Sequence, residues 1–574
     1  MSSTLPIRNY LDFLATCLAE AGVTRFAVSP GSRNAPIVAS MLRHGGFELH
    51  SFPDERSAAY AALGMAQSQQ FPCGVICTSG TAALNFYPAV AESYYQRTPL
   101  LVLTADRPKE LIDQWDGQTI HQFEVFQSHC KFNAEIPETP TAFEVEQTVY
   151  AAVNATLYPS LGPAHINIPL KDPIYEGLET PFHDLQPSKP WLFNHPNPEP
   201  ISISILQEIM ELAKKSAGVD VPKIMVIVGQ HRPHPELSLA LNQASQYFPV
   251  LTDIASHQHA WGLQQWDWAM LNQEPNSALK PDWLISIGTA MISKPLKQWL
   301  KKHKPALHNH ISATEDWIGD PFETQPISLV HHETDFIHGL CSIFQGDESY
   351  LTQWQSWISA SQVLASEKLQ TNSSSEQPTT NFTTEFTWVK ALLKQLNNNT
   401  ILHVGNSMSA RYASWTGSSA AEIWINRGTS GIDGSLSTAV GCAIAHPEKT
   451  VVILLGDVSF IYDAHGLWTS SLPQNLKIVV INNGGGRIFD FINGPNKEPQ
   501  LRPYIQTPQA YDFAHLAAFY GIEHRVIEMA NLEVLEPELR ISGNVTSEIL
   551  QMQQQPLEVF NWLQETGCML IEWR

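Results

Sequence analysis

Short apolar runs at 25–29, 100–104, 223–228, 283–287, 450–455 and 477–481 recur along the 574-residue chain, each followed by a stretch with helical periodicity. Strands that are apolar on both faces are buried on both faces, which happens in parallel sheets covered by helices. That single constraint excludes all-helical and all-β architectures and predicts an α/β fold of doubly wound parallel-sheet domains. Two compositionally odd stretches interrupt the alternation. The proline-rich 171–200 reads as an extended linker, and the polar 366–381 reads as an exposed loop between domains. They divide the chain into three domains, at 1–180, 200–365 and 382–574. The first and third of these read as two copies of one α/β architecture.

Composition narrows the partners. With 34 basic against 56 acidic side chains the net charge is −22, which disfavours nucleic acid and anionic membrane surfaces. An anionic small substrate would then need a local cluster of arginines. Seven scattered cysteines without a CxxC pair read as reduced thiols. No run approaches the roughly 18–20 apolar residues that span a bilayer, and the first residues lack the apolar core of a signal peptide, so a cytoplasmic location is expected. His257, His259, His308 and His310 read as solvated loop histidines rather than zinc ligands.

In the third block one strand ends in Gly456-Asp457-Val458-Ser459, and the next ends in Asn482-Asn483-Gly484-Gly485-Gly486. A helix fits between them, so two neighbouring parallel strands can bring Asp457 and Asn483 to one sheet edge. A carboxylate, an amide oxygen and the Gly485 carbonyl are hard oxygen donors suited to Mg²⁺, which completes its octahedron with phosphate and water. Glycines let backbone approach phosphate, and a helix starting near Ser459 adds N–H donors. Taken separately, the halves read as a helix cap and a tight turn.

Together they resemble the diphosphate and metal motif of thiamin-diphosphate-dependent enzymes, with Val458 departing from the commoner glycine. The resemblance implies three domains: pyrimidine-binding, middle and diphosphate-binding. It implies Mg²⁺ or Mn²⁺ held by Asp457, Asn483 and Gly485, with Thr81, Ile432, Gly456 and Ser459 also at the cofactor. Ile432 takes the place of the bulky residue beneath it. Glu55, opening an alanine-rich helix after Ser51-Phe52-Pro53-Asp54, matches the family's activating glutamate. That residue contacts the aminopyrimidine and favours the tautomer that removes the thiazolium C2 proton, so it must be desolvated. Because pyrimidine and diphosphate domains of different subunits meet around the cofactor, a homodimer or a dimer of dimers is expected.

More specific strings are Ser29-Pro30-Gly31-Ser32-Arg33-Asn34-Ala35-Pro36, Asn426-Arg427-Gly428-Thr429-Ser430-Gly431-Ile432-Asp433-Gly434 and Asn482-Asn483-Gly484-Gly485-Gly486-Arg487-Ile488-Phe489. They resemble the 2-succinyl-5-enolpyruvyl-6-hydroxy-3-cyclohexene-1-carboxylate (SEPHCHC) synthase family of menaquinone and phylloquinone biosynthesis. That family decarboxylates 2-oxoglutarate on the cofactor and adds the succinyl carbanion equivalent to isochorismate in a 1,4 fashion. Both substrates are dicarboxylates, for which arginine is the fitting partner because its planar fork pairs bidentately and stays charged. The resemblance assigns substrate contacts to Ser32, Arg33, Arg107, Gln118, Lys294, Ser407, Arg411 and Arg427. It places Ile488, Phe489 and Ile492 on the apolar wall. The chain departs from the family at Gly117 and Pro295. Another thiamin-diphosphate 2-oxoacid decarboxylase or carboligase is the alternative, and would need fewer cations. A catalytically silent homologue would be expected to have lost Glu55 or a metal ligand, and both are present.

Overall fold

The computed structural model describes residues 4–69, 71–175, 181–188, 198–258, 262–344, 348–372, 379–417, 421–490, 497–529 and 558–574. Each apolar run becomes a strand, and every pairing in the three sheets is parallel. The first sheet contains β1 (Arg25–Val28), β2 (Glu48–Ser51), β3 (Cys73–Cys77), β4 (Leu100–Asp106), β5 (Phe132–Glu135) and β6 (Pro163–Pro169), in the spatial order β2-β1-β3-β4-β6-β5. The second contains β7 (Ile224–Val228), β8 (Val250–Thr252), β9 (Trp283–Ile287), β10 (Leu307–Ser312) and β11 (Ile327–Val330), ordered β11-β10-β9-β7-β8. The third contains β12 (Thr400–Val404), β13 (Glu422–Trp424), β14 (Thr450–Gly456), β15 (Leu476–Ile481), β16 (Glu523–Ile527) and β17 (Met569–Trp573), ordered β13-β12-β14-β15-β17-β16. Renumbered from its own first strand, the third sheet repeats the order of the first, as the sequence suggested. The seven cysteines are free thiols. No helix among the described residues is long and apolar enough to cross a membrane.

The first and third sheets share a core. The helix Glu55–Gln69 is buried all round from Ser57 to Gln67, because it packs on β3 on one side and on the helix Ser435–Ala445 on the other. Small residues permit the contact. A Cβ on Gly64 would lie 1.9 Å from the Thr438 carbonyl oxygen, and one on Gly441 would lie 1.9 Å from that of Ala61. Around this crossing one apolar cluster runs from Phe52, Leu63 and Val75 to Leu436, Val440 and Ile453. A second cluster joins the third sheet to Ile254, Trp268 and Ile292 of the middle domain.

Two sequence expectations fail. The described parts of 366–381 are helical, 366–372 ending the helix Ser349–Asn372 and 379–381 opening the helix Thr379–Gln395, while 373–378 lie outside the described residues. Its Glu367, Lys368, Leu369 and Gln370 are straight-chain helix formers, and their propensity outweighs the polar composition that suggested a loop. His308 and His310 are not solvated loop residues but lie buried on β10. His308 bonds Ser286 Oγ and Thr324 Oγ1, His310 bonds Ser286 Oγ, and burial pushes both imidazoles down to about 4, so they are core residues held neutral. His257 is partly buried beside Trp424, and His259 lies outside the described residues.

Gly64→Val and Gly441→Val should each destabilise the protein by at least the roughly 1–3 kcal/mol that overpacking costs, because the clash is with backbone. Thermal and urea denaturation would measure the loss. Wild-type stability in both variants would mean that the helices stand further apart in solution.

Candidate active site between strand ends

The register of β14 against β15 sets the first half of the site. Gly456 pairs with Ile481, so the residues just beyond each leave the sheet at the same edge. Asp457 is almost fully buried there. Its Oδ1 accepts from Val458 N (2.6 Å), and its Oδ2 accepts from Gly485 N (2.8 Å) and Gln509 Nε2 (2.7 Å). The turn that delivers Gly485 is left-handed, with φ of +81° at Gly484 and +135° at Gly485. A Cβ at Gly485 would lie 2.6 Å from the Gln506 carbonyl oxygen, so a side chain is excluded. Asn483 donates from Nδ2 to Glu385 Oε1 (3.0 Å), which leaves its amide oxygen available as an acceptor. Tyr412 holds the other Glu385 oxygen at 2.6 Å.

These groups line a cavity of about 550 Å³ at the carboxyl edge of the third sheet, where open α/β sheets bind ligands. Asn406, Ser407 and Arg411 enter it from beyond β12, and Arg427 and Ile432 from beyond β13. Gly456, Asp457 and Ser459 follow β14, while Asn483, Gly485, Ile488 and Phe489 follow β15. Ser459 Oγ donates to the Ile432 carbonyl at 3.3 Å, tying two of these loops together. Ser407 sits at φ +74°, a conformation costly for a residue with a Cβ, and such strain concentrates at functional sites. Ile492 lies outside the described residues.

The cavity is a place for anions. Burial lowers the Arg411 guanidinium pKa, and Arg427 beside it lowers it further, with Asp267 opposing. Burial also lowers that of Arg427, against Asp253 and Glu92. Guanidinium stays protonated regardless, so the direction records a positive charge held at a cost. Arg427 Nε is buried with no hydrogen-bond partner among the described residues. The oxygen donors of Asp457 and Asn483, the cradle at Gly485 and these cations fit a metal-bound diphosphate and acidic substrates.

The first-block candidates gather at a different edge, beyond the carboxyl ends of β1 to β4. Arg33 is buried, donates to the Leu170 carbonyl (2.8 Å) and pairs with Asp172 (3.1 Å). Arg107 lies 3.8 Å from the same Asp172 carboxylate and 3.3 Å from Asp116. The Nε atoms of both arginines are buried without partners among the described residues. Ser32, Thr81 and Gln118 are exposed, and the Gln118 backbone rests against Gly80. Glu55 opens its helix with Asp54 capping Ser57 N at 2.9 Å. Its carboxyl is half-buried. Burial pushes it above the ordinary carboxylate range, against the lowering effect of a backbone hydrogen bond, and Asp54 adds to the rise.

None of Ser32, Arg33, Glu55, Thr81, Arg107 or Gln118 lines the third-sheet cavity. Lys294 is exposed in the first turn of the helix Lys294–Lys302 and does not reach it either, whereas Lys297, one turn on, is partly buried near Arg427. Sequence reasoning missed Lys297, Glu385, Asn406 and Gln509. Of these only Asn406 carried a local signal, standing just beyond an apolar strand and a glycine.

Residues 8–127 match the family described as thiamine pyrophosphate enzyme, N-terminal TPP binding domain, and residues 404–542 match its C-terminal TPP binding domain. A 2-succinyl-5-enolpyruvyl-6-hydroxy-3-cyclohexene-1-carboxylate synthase of Desulfotalea psychrophila is 35% identical over 527 residues, covering 90% of this chain and 92% of that protein. One of Cytophaga hutchinsonii is 35% identical over 529 residues, 90% of each chain. One of Bacteroides thetaiotaomicron is 33% identical over 529 residues, 87% of this chain and 86% of that protein. Likeness of that depth, running through both strand-end half-sites and the middle domain between them, means that the chain belongs to the SEPHCHC synthase family of thiamin-diphosphate enzymes.

Proposed function

We propose that the protein decarboxylates 2-oxoglutarate and joins the succinyl unit to isochorismate by 1,4-addition, releasing CO₂ and giving SEPHCHC for menaquinone or phylloquinone synthesis. The observation that carries this reading is the pair of partly buried guanidiniums, Arg411 and Arg427, set in one cavity with the Asp457 and Asn483 oxygens. Two mutually repelling cations suit dicarboxylates, and a monocarboxylate such as pyruvate would leave one of them unmatched.

Bound thiamin diphosphate supplies the carbon nucleophile and electron sink that a 2-oxoacid needs to lose CO₂ and form a new carbon–carbon bond. Asp457, Asn483 and the Gly485 carbonyl would hold Mg²⁺ or Mn²⁺, and Gly456 and Ser459 would help to bind the diphosphate. Ile432 and Thr81 would also help to hold the cofactor. Glu55, half-buried and raised in pKa, would share a proton with the pyrimidine ring. Ser32, Arg33, Arg107 and Gln118 join Ser407, Arg411 and Arg427 in binding the substrate carboxylates. Ile488 and Phe489 keep water from the reacting carbon. Because Glu55 lines no part of its own chain's cavity, the complete site forms between two copies, the first domain of one facing the third domain of the other.

Incubated with cofactor, Mg²⁺, 2-oxoglutarate and isochorismate, the protein should release CO₂ and form the adduct detectable by mass. Equal turnover of pyruvate, with no adduct from 2-oxoglutarate, would select a different 2-oxoacid ligase. Glu55→Gln and Asp457→Ala should each be inactive as pure proteins. Subunits of the two, mixed in equal amounts and allowed to reassort, should recover about a quarter of wild-type activity, since half the dimers carry one intact site. No recovery after verified exchange would place Glu55 and Asp457 of one chain in the same site.

A further inference from the structure

The loop that carries Arg427 is gripped by a carboxylate with no part in the chemistry above. Glu92 lies on the helix Tyr87–Gln96, beside the first sheet, and is fully buried. Its Oε1 accepts from Gly428 N (2.7 Å), and its Oε2 accepts from Thr429 N and Thr429 Oγ1 (both 2.6 Å). These donors belong to the two residues that follow Arg427. A buried carboxylate is costly unless its lone pairs are filled, and here three donors from one loop fill them. The approach depends on glycine: a Cβ on Gly428 would stand 2.6 Å from the Glu92 carbonyl oxygen and 2.9 Å from Gln96 N.

Neighbouring contacts fix the rest of the loop. Gln96 and Gln230 both donate to the Ile425 carbonyl (each 3.1 Å), the second from the middle domain. Asn406 Nδ2 donates to the carbonyls of Asn426 and Gly431 (2.7 Å each), and its Oδ1 accepts from Arg427 Nη1 at 3.0 Å. All three domains therefore meet on 425–431. Among the described residues, Glu92 is the one carboxyl that holds the backbone immediately beyond the arginine.

We propose that Glu92 is a positioning residue for Arg427, clamping the backbone at 428–429 so that the guanidinium enters the cavity in the direction a substrate carboxylate requires. This deepens the reading of Arg427 as a substrate-binding cation and rests on it. A carboxylate that merely pinned two domains together would change stability without changing how the enzyme handles acidic substrates.

The test is a double-mutant cycle on the cofactor-loaded enzyme with Glu92→Gln, Arg427→Gln and their combination. Thr429→Val serves as a gentler probe, removing one donor from an exposed residue with little change of shape. Glu92→Gln should raise the KM for 2-oxoglutarate or isochorismate about tenfold, the size expected for losing hydrogen bonds to a charged group, with a smaller change in kcat. Thr429→Val should move the same KM in the same direction by less. The combined variant should be no worse than Arg427→Gln alone, because a residue acting through another has nothing left to position. The rise in thermal midpoint on adding 2-oxoglutarate should shrink in the same ranking. Multiplying losses in the combined variant, or a fall in stability with both KM values unchanged in Glu92→Gln and Thr429→Val, would overturn the positioning role. A silent Arg427→Gln would instead remove the substrate-binding role of Arg427 on which it stands.

Discussion

The crossing of the helices Glu55–Gln69 and Ser435–Ala445, backbone against backbone at Gly64 and Gly441, makes the first and third domains one packed body. Once it is in place, the residues flanking Glu55 are fixed as well. Asp54 bonds His465 at 2.8 Å, Arg56 donates to the Tyr462 carbonyl at 2.7 Å, and the Ser51 carbonyl accepts from Thr469 Oγ1 at 3.0 Å. The start of the glutamate-bearing helix is thereby locked to its own third domain at a point that does not open into that domain's cavity. Neither the Glu55 region nor the third-sheet cavity of one chain can swing toward the other without breaking a shared core of close-packed residues.

Charge is distributed with the same economy. A chain of net charge −22 places guanidiniums at the edges of two sheets and counters them from elsewhere. Asp172 and Asp116 face Arg33 and Arg107. The middle domain contributes Asp253 and Asp267, both buried. Asp253 is held by the N–H groups of Ala255 and Ile292, and Asp267 by Ser414, which lies on the same helix as Arg411. Burial raises both carboxyls, that of Asp253 to about 6, and the arginines oppose the rise. The middle domain thus offsets part of the desolvation cost of cations it does not itself carry.

What the sequence made legible was local. Parallel strands announce themselves because both faces are apolar, and strand-end motifs lie within a few residues of those strands, so the sequence alone locates Asp457, Asn483 and Gly485 at neighbouring strand ends. Partners drawn from distant segments could not. Glu92 and Glu385 are single carboxylates in helices, and Gly428, which donates to the first, and Asn483, which donates to the second, sit 336 and 98 positions away. Helical phase decides that Lys297, and not Lys294, turns inward, and the run 294–302 offers four lysines to choose from. His308 and His310 were misread because histidine scores as polar, yet neutral imidazoles bonded to hydroxyls belong in a core.

The shared core has a consequence for how the polypeptide is made. The helix Glu55–Gln69 is synthesised before the whole middle domain, whereas the helix that must cover its outer side, Ser435–Ala445, follows that domain. Until then its alanine-lined surface lacks that cover, and the nascent chain carries an unfinished interior while the middle domain is made, a state exposed to premature association. Completion of the third sheet ends that exposure.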